Sequence, residues 1–364
     1  MPVLKKIVVR NWRNISLQEL EFSPNLNCIS GGNGEGKTNL LDAIYYLSMT
    51  KSAFGASDKY NYSHGSSFFE LAGTYEMHGG IQARFGIKTA EGEEKKVSRD
   101  GKLYTKISDH IGILPIVMVC PGDSALVSDS SDERRRFSNA VLSQIDREFL
   151  ADMQRYSKLL QTRNVVLKGG CDDDILETID TRLAEWGSRI YARRKDFVQS
   201  IEPQVARFYA MLSGGRETVG IRYRSDLDKG SLYDLLRENL AKDRMLGFTG
   251  CGIQRDDFIF TMDGDPIRKV GSQGQQKSFL ISLKFAQYEI MKEKYGFAPI
   301  LLLDDLFDKL DFERTKNLLE MVASADFGQI FITDTDKSRL ETIVSGITEE
   351  STFYQACGGA FTKQ

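Results

Sequence analysis

The octapeptide Gly31-Gly32-Asn33-Gly34-Glu35-Gly36-Lys37-Thr38 constrains this chain more than any other feature. It satisfies G-x-x-x-x-G-K-[ST] at every position. The strand-like run Leu26 to Ile29 precedes it, and Asn39 to Leu47 follows with the apolar spacing of a buried helix. Glycines let successive backbone N–H groups close around phosphate oxygens, and the N-terminus of the next helix adds partial positive charge. Lys37 is placed to reach β- and γ-phosphates, and the Thr38 hydroxyl to ligate Mg²⁺. No G-x-G-x-x-G can be placed in the chain, so the loop implies a nucleoside triphosphate rather than a dinucleotide.

Two further motifs complete such a site. Ile300 to Leu303 is a continuous apolar run of the kind buried on both faces of a parallel sheet, and it ends in Asp304-Asp305. Carboxylates there would be buried without a partner unless they meet a cation. Asp304 is expected to hold Mg²⁺, and Asp305 to polarise an attacking water. Ser272-Gln273-Gly274-Gln275-Gln276 opens a helix about thirty residues earlier and resembles the signature loop of ABC-type ATPases. In that class the loop completes the site of a second protomer, which assigns Ser272, Gly274 and Gln275 to the γ-phosphate across an interface. Asp308 and Asp311 match the loop crossing between the two sites. Thr335-Asp336 falls where many ABC proteins carry a phosphate-sensing His.

The 364 residues suggest two domains, or one α/β domain carrying an insertion. Apolar residues recur at helical spacing from Asp132 to Lys168, and again from the acidic turn at 172–174 to Ser213-Gly214-Gly215. These stretches predict two long antiparallel helices of about 50 Å each, at 1.5 Å per residue, with Pro203 inside the second. The predicted organisation is an α/β head in two pieces, residues 1–123 and 248–364, around a mostly α-helical arm at 124–247.

Other chemistries are poorly supported. The five cysteines (Cys28, Cys120, Cys171, Cys251, Cys357) and three histidines (His64, His78, His110) are scattered with no metal-ligand spacing, and no GxSxG elbow occurs. No 18-residue apolar run or signal-peptide core is present, so a soluble, cytoplasmic protein with no membrane partner is expected. The formal net charge of −3 argues against a generic basic nucleic-acid coat.

Beyond the nucleotide motifs, several segments carry a resemblance to a known family. They are Asn11-Trp12-Arg13-Asn14, Glu133-Arg134-Arg135-Arg136-Phe137, Gln161 to Lys168 as an R-N-x-x-L-K pattern, Ser272 to Ser278 as S-Q-G-Q-Q-K-S, and Leu302 to Asp311. With Asp-Asp where transporter ATPases carry Asp-Glu, the chain resembles the RecF family of SMC-like ABC ATPases nearly end to end. It departs from the pattern at Gly252-Ile253-Gln254-Arg255-Asp256-Asp257, where the family has Gly-Pro-His-Arg-Asp-Asp. It departs also at Ser138-Asn139 and Lys277. The resemblance implies a weak ATPase using ATP and Mg²⁺, dimerising head to head with ATP as a clamp on DNA (double-stranded or at single/double-strand junctions), and working with a RecR-type recombination mediator.

Candidate DNA contacts are the basic clusters Arg134, Arg135 and Arg136; Arg163 with Lys168; and Arg193 with Arg194. Another ABC class, transporter-type or chromosome-organising, shares the ATP motifs. DNA-stimulated hydrolysis separates that alternative from a repair clamp.

Overall fold

The computed structural model describes residues 1–55, 57–169, 173–306, 312–324, 327–347 and 350–364. Asp308 and Asp311 lie outside the described residues, as does Cys171. Two compact units are present: 1–124 with 211–214 and 273–364, and 125–210 with 215–272.

The first unit begins with β1 (Val3–Trp12), β2 (Ile15–Glu21), β3 (Leu26–Ser30), α1 (Lys37–Met49), β4 (Phe68–Glu76), β5 (Gln82–Ala90), β6 (Lys96–Arg99), β7 (Lys102–Leu103) and β8 (Ile116–Val119). The second unit carries α2 (Ala125–Ser128), α3 (Ser131–Ile145), α4 (Arg147–Gly169), α5 (Asp173–Ser213), β9 (Val219–Arg224), α6 (Leu232–Glu238), α7 (Leu240–Leu246), β10 (Asp257–Met262), β11 (Asp265–Pro266) and α8 (Ile267–Val270). The chain then supplies the first unit with α9 (Gln273–Tyr295), β12 (Ile300–Leu303), α10 (Phe312–Ser324), β13 (Ile330–Asp334), α11 (Lys337–Ile347), β14 (Ser351–Cys357) and β15 (Ala360–Lys363).

Two six-stranded sheets build the first unit. One is antiparallel, in the order β2-β1-β4-β5-β6-β7. The other runs β15-β14-β3-β13-β12-β8, with parallel pairing throughout except at the β14–β15 hairpin. Every residue of β3, β8, β12 and β13 is buried, because helices cover a parallel sheet on both faces and only unbroken apolar runs fill that layer. Helix α1 packs against strands of both sheets. Around it, Trp12, Tyr46 and Phe69 meet edge-to-face with ring centroids 4.7–5.3 Å apart. The parallel strands point the residues after β3, β12 and β13 to one edge, where open α/β sheets bind ligands.

The second unit departs from expectation in two ways. The helical stretch from 132 is not one rod. It breaks at Asp146, which is extended (φ −141°, ψ 105°), and the Asp146 carboxylate accepts the N–H groups of Glu148 and Phe149 to start α4. The stretch from 173 is continuous over 41 residues. Residues 248–272, expected in the head, belong to this unit. β10 pairs antiparallel with β9 from Asp257↔Arg224 to Met262↔Val219, and a three-stranded sheet β11-β10-β9 supplements the helices. Short strands separated by helices leave no single periodic run, so the boundary could not be read from the pattern. No described helix is long and apolar enough to cross a membrane.

Candidate active site: the phosphate loop and the acidic strand end

The glycine-rich loop bridges β3 and α1. Gly36 sits at the N-cap with φ 102°, a left-handed conformation that favours glycine, and a Cβ there would lie 2.9 Å from the Asn14 side chain. Helix α1 starts without a side-chain cap and with no acidic residue in its first turn. Its first N–H groups therefore keep no protein carboxylate, which is the state an anion site requires. Lys37 is 4% exposed, and its Nζ donates to the carbonyls of Gly31 (2.7 Å) and Gly32 (2.9 Å), folding the ammonium over the loop.

The Thr38 hydroxyl donates to Asp304 Oδ2 at 2.7 Å, across 266 residues of sequence. Asp304 is 2% exposed at the end of β12, and burial pushes its carboxyl up from the ordinary value; hydrogen bonds from Thr333 and Thr38 act against that shift. Asp305 follows in the left-handed region at φ 43°, a conformation unfavourable for a residue with a Cβ. Sequence reasoning missed Thr333. Its hydroxyl donates to Asp304 Oδ1 at 2.6 Å and accepts the Asp305 N–H at 3.1 Å, so one side chain orients both members of the acidic pair. It lies 29 residues beyond Asp304 on β13, and only the parallel β12–β13 register brings the two together.

The Asn11–Asn14 segment, noted only as part of a resemblance, braces the same helix end. Trp12 Nε1 donates to the Asn39 carbonyl (2.8 Å), and Arg13 donates to Asn39 Oδ1 (3.1 Å) and to buried Asp42 (2.6 Å). Asn14 Oδ1 accepts from Asn39 Nδ2 at 2.7 Å. From the C-terminal hairpin, Gly358 N and Gly359 N donate to Glu35. The loop and the start of α1 are thus held by two separate segments, which lowers the ordering cost of binding.

Magnesium and a nucleotide fit this donor set. The oxygens of Thr38 and Asp304 are hard ligands, and no group of three His, Cys, Asp or Glu among the described residues could hold a metal alone. Mg²⁺ usually takes one or two protein oxygens and completes its shell with phosphate and water.

Ser272, exposed, directly precedes α9, and a Cβ at Gly274 would stand 2.6 Å from Arg314 Nη1 of α10. Thr335 is exposed, and Asp336 accepts the N–H of Ser338 at the start of α11.

Three of the basic residues expected at DNA, Arg134, Arg163 and Arg194, are buried and engaged elsewhere, and the expectation is corrected for them. Arg163 is fully buried and bonded to Asp180 (2.6 Å), Asp243 (2.7 Å) and Thr249 (3.0 Å). Arg194 is equally buried against Asp256 (2.6 Å) and the Ile253 carbonyl (2.8 Å). Arg134 is buried with Asp257 (2.8 Å), and Arg135 is largely covered, donating to Ser131, Asp132 and the Asp256 carbonyl. Arg193 is ringed by Asp146, Glu148 and Asp152. A guanidinium in apolar surroundings must be paired, and each of these is. Arg136, paired with Glu133, and Lys168 are the two of the seven that are exposed.

The comparisons with known proteins agree with this architecture. The family model described as "RecF/RecN/SMC N terminal domain" matches residues 3–352. The "DNA replication and repair protein RecF" of Phocaeicola vulgatus is 40% identical over 365 residues, covering 100% of this chain and 98% of its own length. The protein of the same name from Flavobacterium johnsoniae is 41% identical over 346 residues, 94% of this chain and 96% of its own. A solved ATP complex of the recombination mediator protein RecF in the RecFOR pathway superposes with a TM-score of 0.90 at 29% identity, covering 100% of this chain and 98% of that one. The Smc head domain of Pyrococcus furiosus superposes at 0.58 with 14% identity, which shows a shared fold alone. A family model spanning almost the whole chain, full-length relatives at 40% identity and a near-complete structural match place this chain in the RecF family.

Proposed function

We propose that this chain is an ATP-dependent DNA-repair ATPase of the cytoplasm, in which ATP joins two heads into a clamp on DNA and hydrolysis releases it. The observation that carries the reading is the Thr38–Asp304 hydrogen bond: a phosphate-loop hydroxyl and a buried carboxylate meet where a nucleotide-bound cation needs both. In this reading the backbone N–H groups of residues 31–38 bind the phosphates, and Lys37 turns from the Gly31 and Gly32 carbonyls toward the β- and γ-oxygens. Thr38 and Asp304 hold Mg²⁺, which when bound neutralises charge developing on the transferred phosphoryl group. Asp305, oriented through Thr333, positions the attacking water.

Ser272, Gly274 and Gln275 act on the nucleotide of a second copy. The likeness of Ser272 to Gln276, at the start of α9, to the signature loop of ABC-type ATPases supports this assignment. A ligand that binds only the joined heads stabilises the dimer by mass action, and its hydrolysis removes that stabilisation. The mediator proposed as partner is RecR-type, with DNA duplexes or single/double-strand junctions as the substrate surface. Arg136 and Lys168 remain the DNA-contact candidates among those seven basic residues.

Size-exclusion chromatography with and without Mg-ATP tests the switch. Lys37→Ala should stay monomeric in both conditions, and Asp305→Asn should persist as an ATP-bound dimer. Identical elution of wild type in both conditions would defeat the reading. DNA-stimulated hydrolysis by wild type separates a repair clamp from a nucleotide-binding subunit of another ABC class.

A further inference from the structure

Arg163 and Asn164 of the R-N-x-x-L-K segment face inward, where they tie distant parts of the second unit together. Arg163 holds Asp180 of α5 and Asp243 of α7. Asn164 Oδ1 accepts both the N–H and the hydroxyl of Thr249 at 2.8 Å, and the free oxygen of Asp243 accepts the Gly250 N–H at 2.9 Å. The end of α7 and the turn after it, residues 245–248, are therefore pinned at both sides, at Asp243 and at Thr249–Gly250, by a network whose Arg163, Asp180, Asp243 and Thr249 are buried. Between those anchors the chain turns through Gly247 at φ 70°.

What this rigid loop displays is apolar. Met245 is 88% exposed, Leu246 47% and Phe248 44%, whereas the other exposed large apolar residues do not cluster in this way along the sequence. An isolated exposed side chain needs no explanation, but three in four residues on a pinned loop do. Two exposed lysines accompany it. The Lys168 stem lies 3.1 Å from where a Gly247 Cβ would be, and Lys242 sits one helical turn before Met245 on α7. Neither makes an ion pair among the described residues.

We propose that Met245, Leu246 and Phe248, flanked by Lys168 and Lys242, form the docking loop for a protein partner presenting an apolar cleft edged by carboxylates. Three side chains supply about 300 Å² of apolar surface, well under the roughly 800 Å² per partner of a stable interface. That area suits the anchor of a transient heterologous contact rather than a permanent dimer of this chain. Rigid display removes the entropy cost of ordering the loop on binding, and the unpaired ammonium groups select an acidic rim. The proposal rests on the partner reading above, and the RecR-type mediator encoded by the same genome is the probe.

Titration calorimetry of the purified mediator against the full chain should show binding to wild type. The double variant Met245→Asp/Phe248→Ser should bind at least tenfold more weakly, and Lys242→Glu about threefold more weakly with a shallower salt dependence. All three proteins should dimerise equally with Mg-ATP. Wild-type binding that survives both variants unchanged would overturn the docking loop while leaving the partner reading standing. No binding by wild type would overturn the partner reading, and the docking assignment with it. A dimerisation or DNA-affinity defect in Met245→Asp/Phe248→Ser would overturn the proposal by giving the loop to a second copy or to DNA.

Discussion

Buried cationic side chains of the two units can be compared through Arg134 and Arg163 in the second and Lys37 in the first. In the second unit Arg134 is matched by Asp257 and two carbonyls, and Arg163 by Asp180, Asp243 and Thr249. In the first, Lys37 is nearly as buried but meets only two loop carbonyls, beside a helix end with no cap and a carboxylate pushed toward its neutral form. A charge whose partners are complete stabilises a particular packing. A charge whose partners are incomplete keeps binding capacity for something absent. Burial alone does not distinguish structure from function; the state of the partner set does.

The largest expected effect tests the first half of that contrast. Arg163→Met leaves Asp180 and Asp243 buried without a counter-ion, which should cost about 3–5 kcal/mol of stability. Lys37→Met frees only two carbonyls beside solvent and should change stability by less than about 1 kcal/mol while abolishing ATP binding. Urea unfolding of both variants decides the matter. Equal destabilisation would remove the distinction.

A smaller effect is expected at Thr333. Thr333→Val deletes the hydroxyl that serves Asp304 and the Asp305 N–H, at a cost of about 1–2 kcal/mol. ATP hydrolysis should fall more than nucleotide affinity, because the residue orients the acidic pair rather than the phosphates. An unchanged hydrolysis rate would mean that the pair is held by the strand ends alone.

The smallest effect concerns a buried group with no charged partner. His110 is fully buried, its Nε2 is 2.7 Å from the Leu47 carbonyl, and burial lowers its pKa below the ordinary 6.5. As pH falls below 6.5 the unfolded chain takes up a proton that the folded chain resists, so stability is complete above that pH and declines below it. His110→Gln should flatten the melting-temperature difference between pH 8 and pH 5.5, and a slope identical to wild type would assign the acid sensitivity elsewhere.

Legibility in the sequence followed the distance over which each feature is encoded. The phosphate loop occupies eight consecutive residues, and its strand and helix flank it directly, so composition and periodicity suffice. The apolar runs of β3, β12 and β13 are equally local, since a strand covered on both faces must be apolar at each position. Asp304 was legible because an acid after four buried apolar residues has few solutions. Thr333 was not, because an isolated threonine carries no signal until strand register sets it beside Asp304. The arginine clusters misled for a related reason. A run such as Glu133-Arg134-Arg135-Arg136 looks like a solvated or phosphate-facing helix surface, and the carboxylates that claim Arg134 and Arg194 lie at Asp257 and Asp256, more than sixty residues away.

The sequence by itself determined the family and an α/β head with an inserted helical unit, and it carried the phosphate-loop, acidic-pair and signature motifs as expectations of a nucleotide site, because each is written as a short contiguous pattern of residue types. Only the tertiary structure decided which cations are satisfied, where the second unit ends, and that Arg163 and Asn164 lie inside the unit and anchor Asp243 and Thr249. Those outcomes depend on which distant carboxylate or carbonyl completes each buried polar group, and the desolvation cost that enforces completion arises only when the chain is packed.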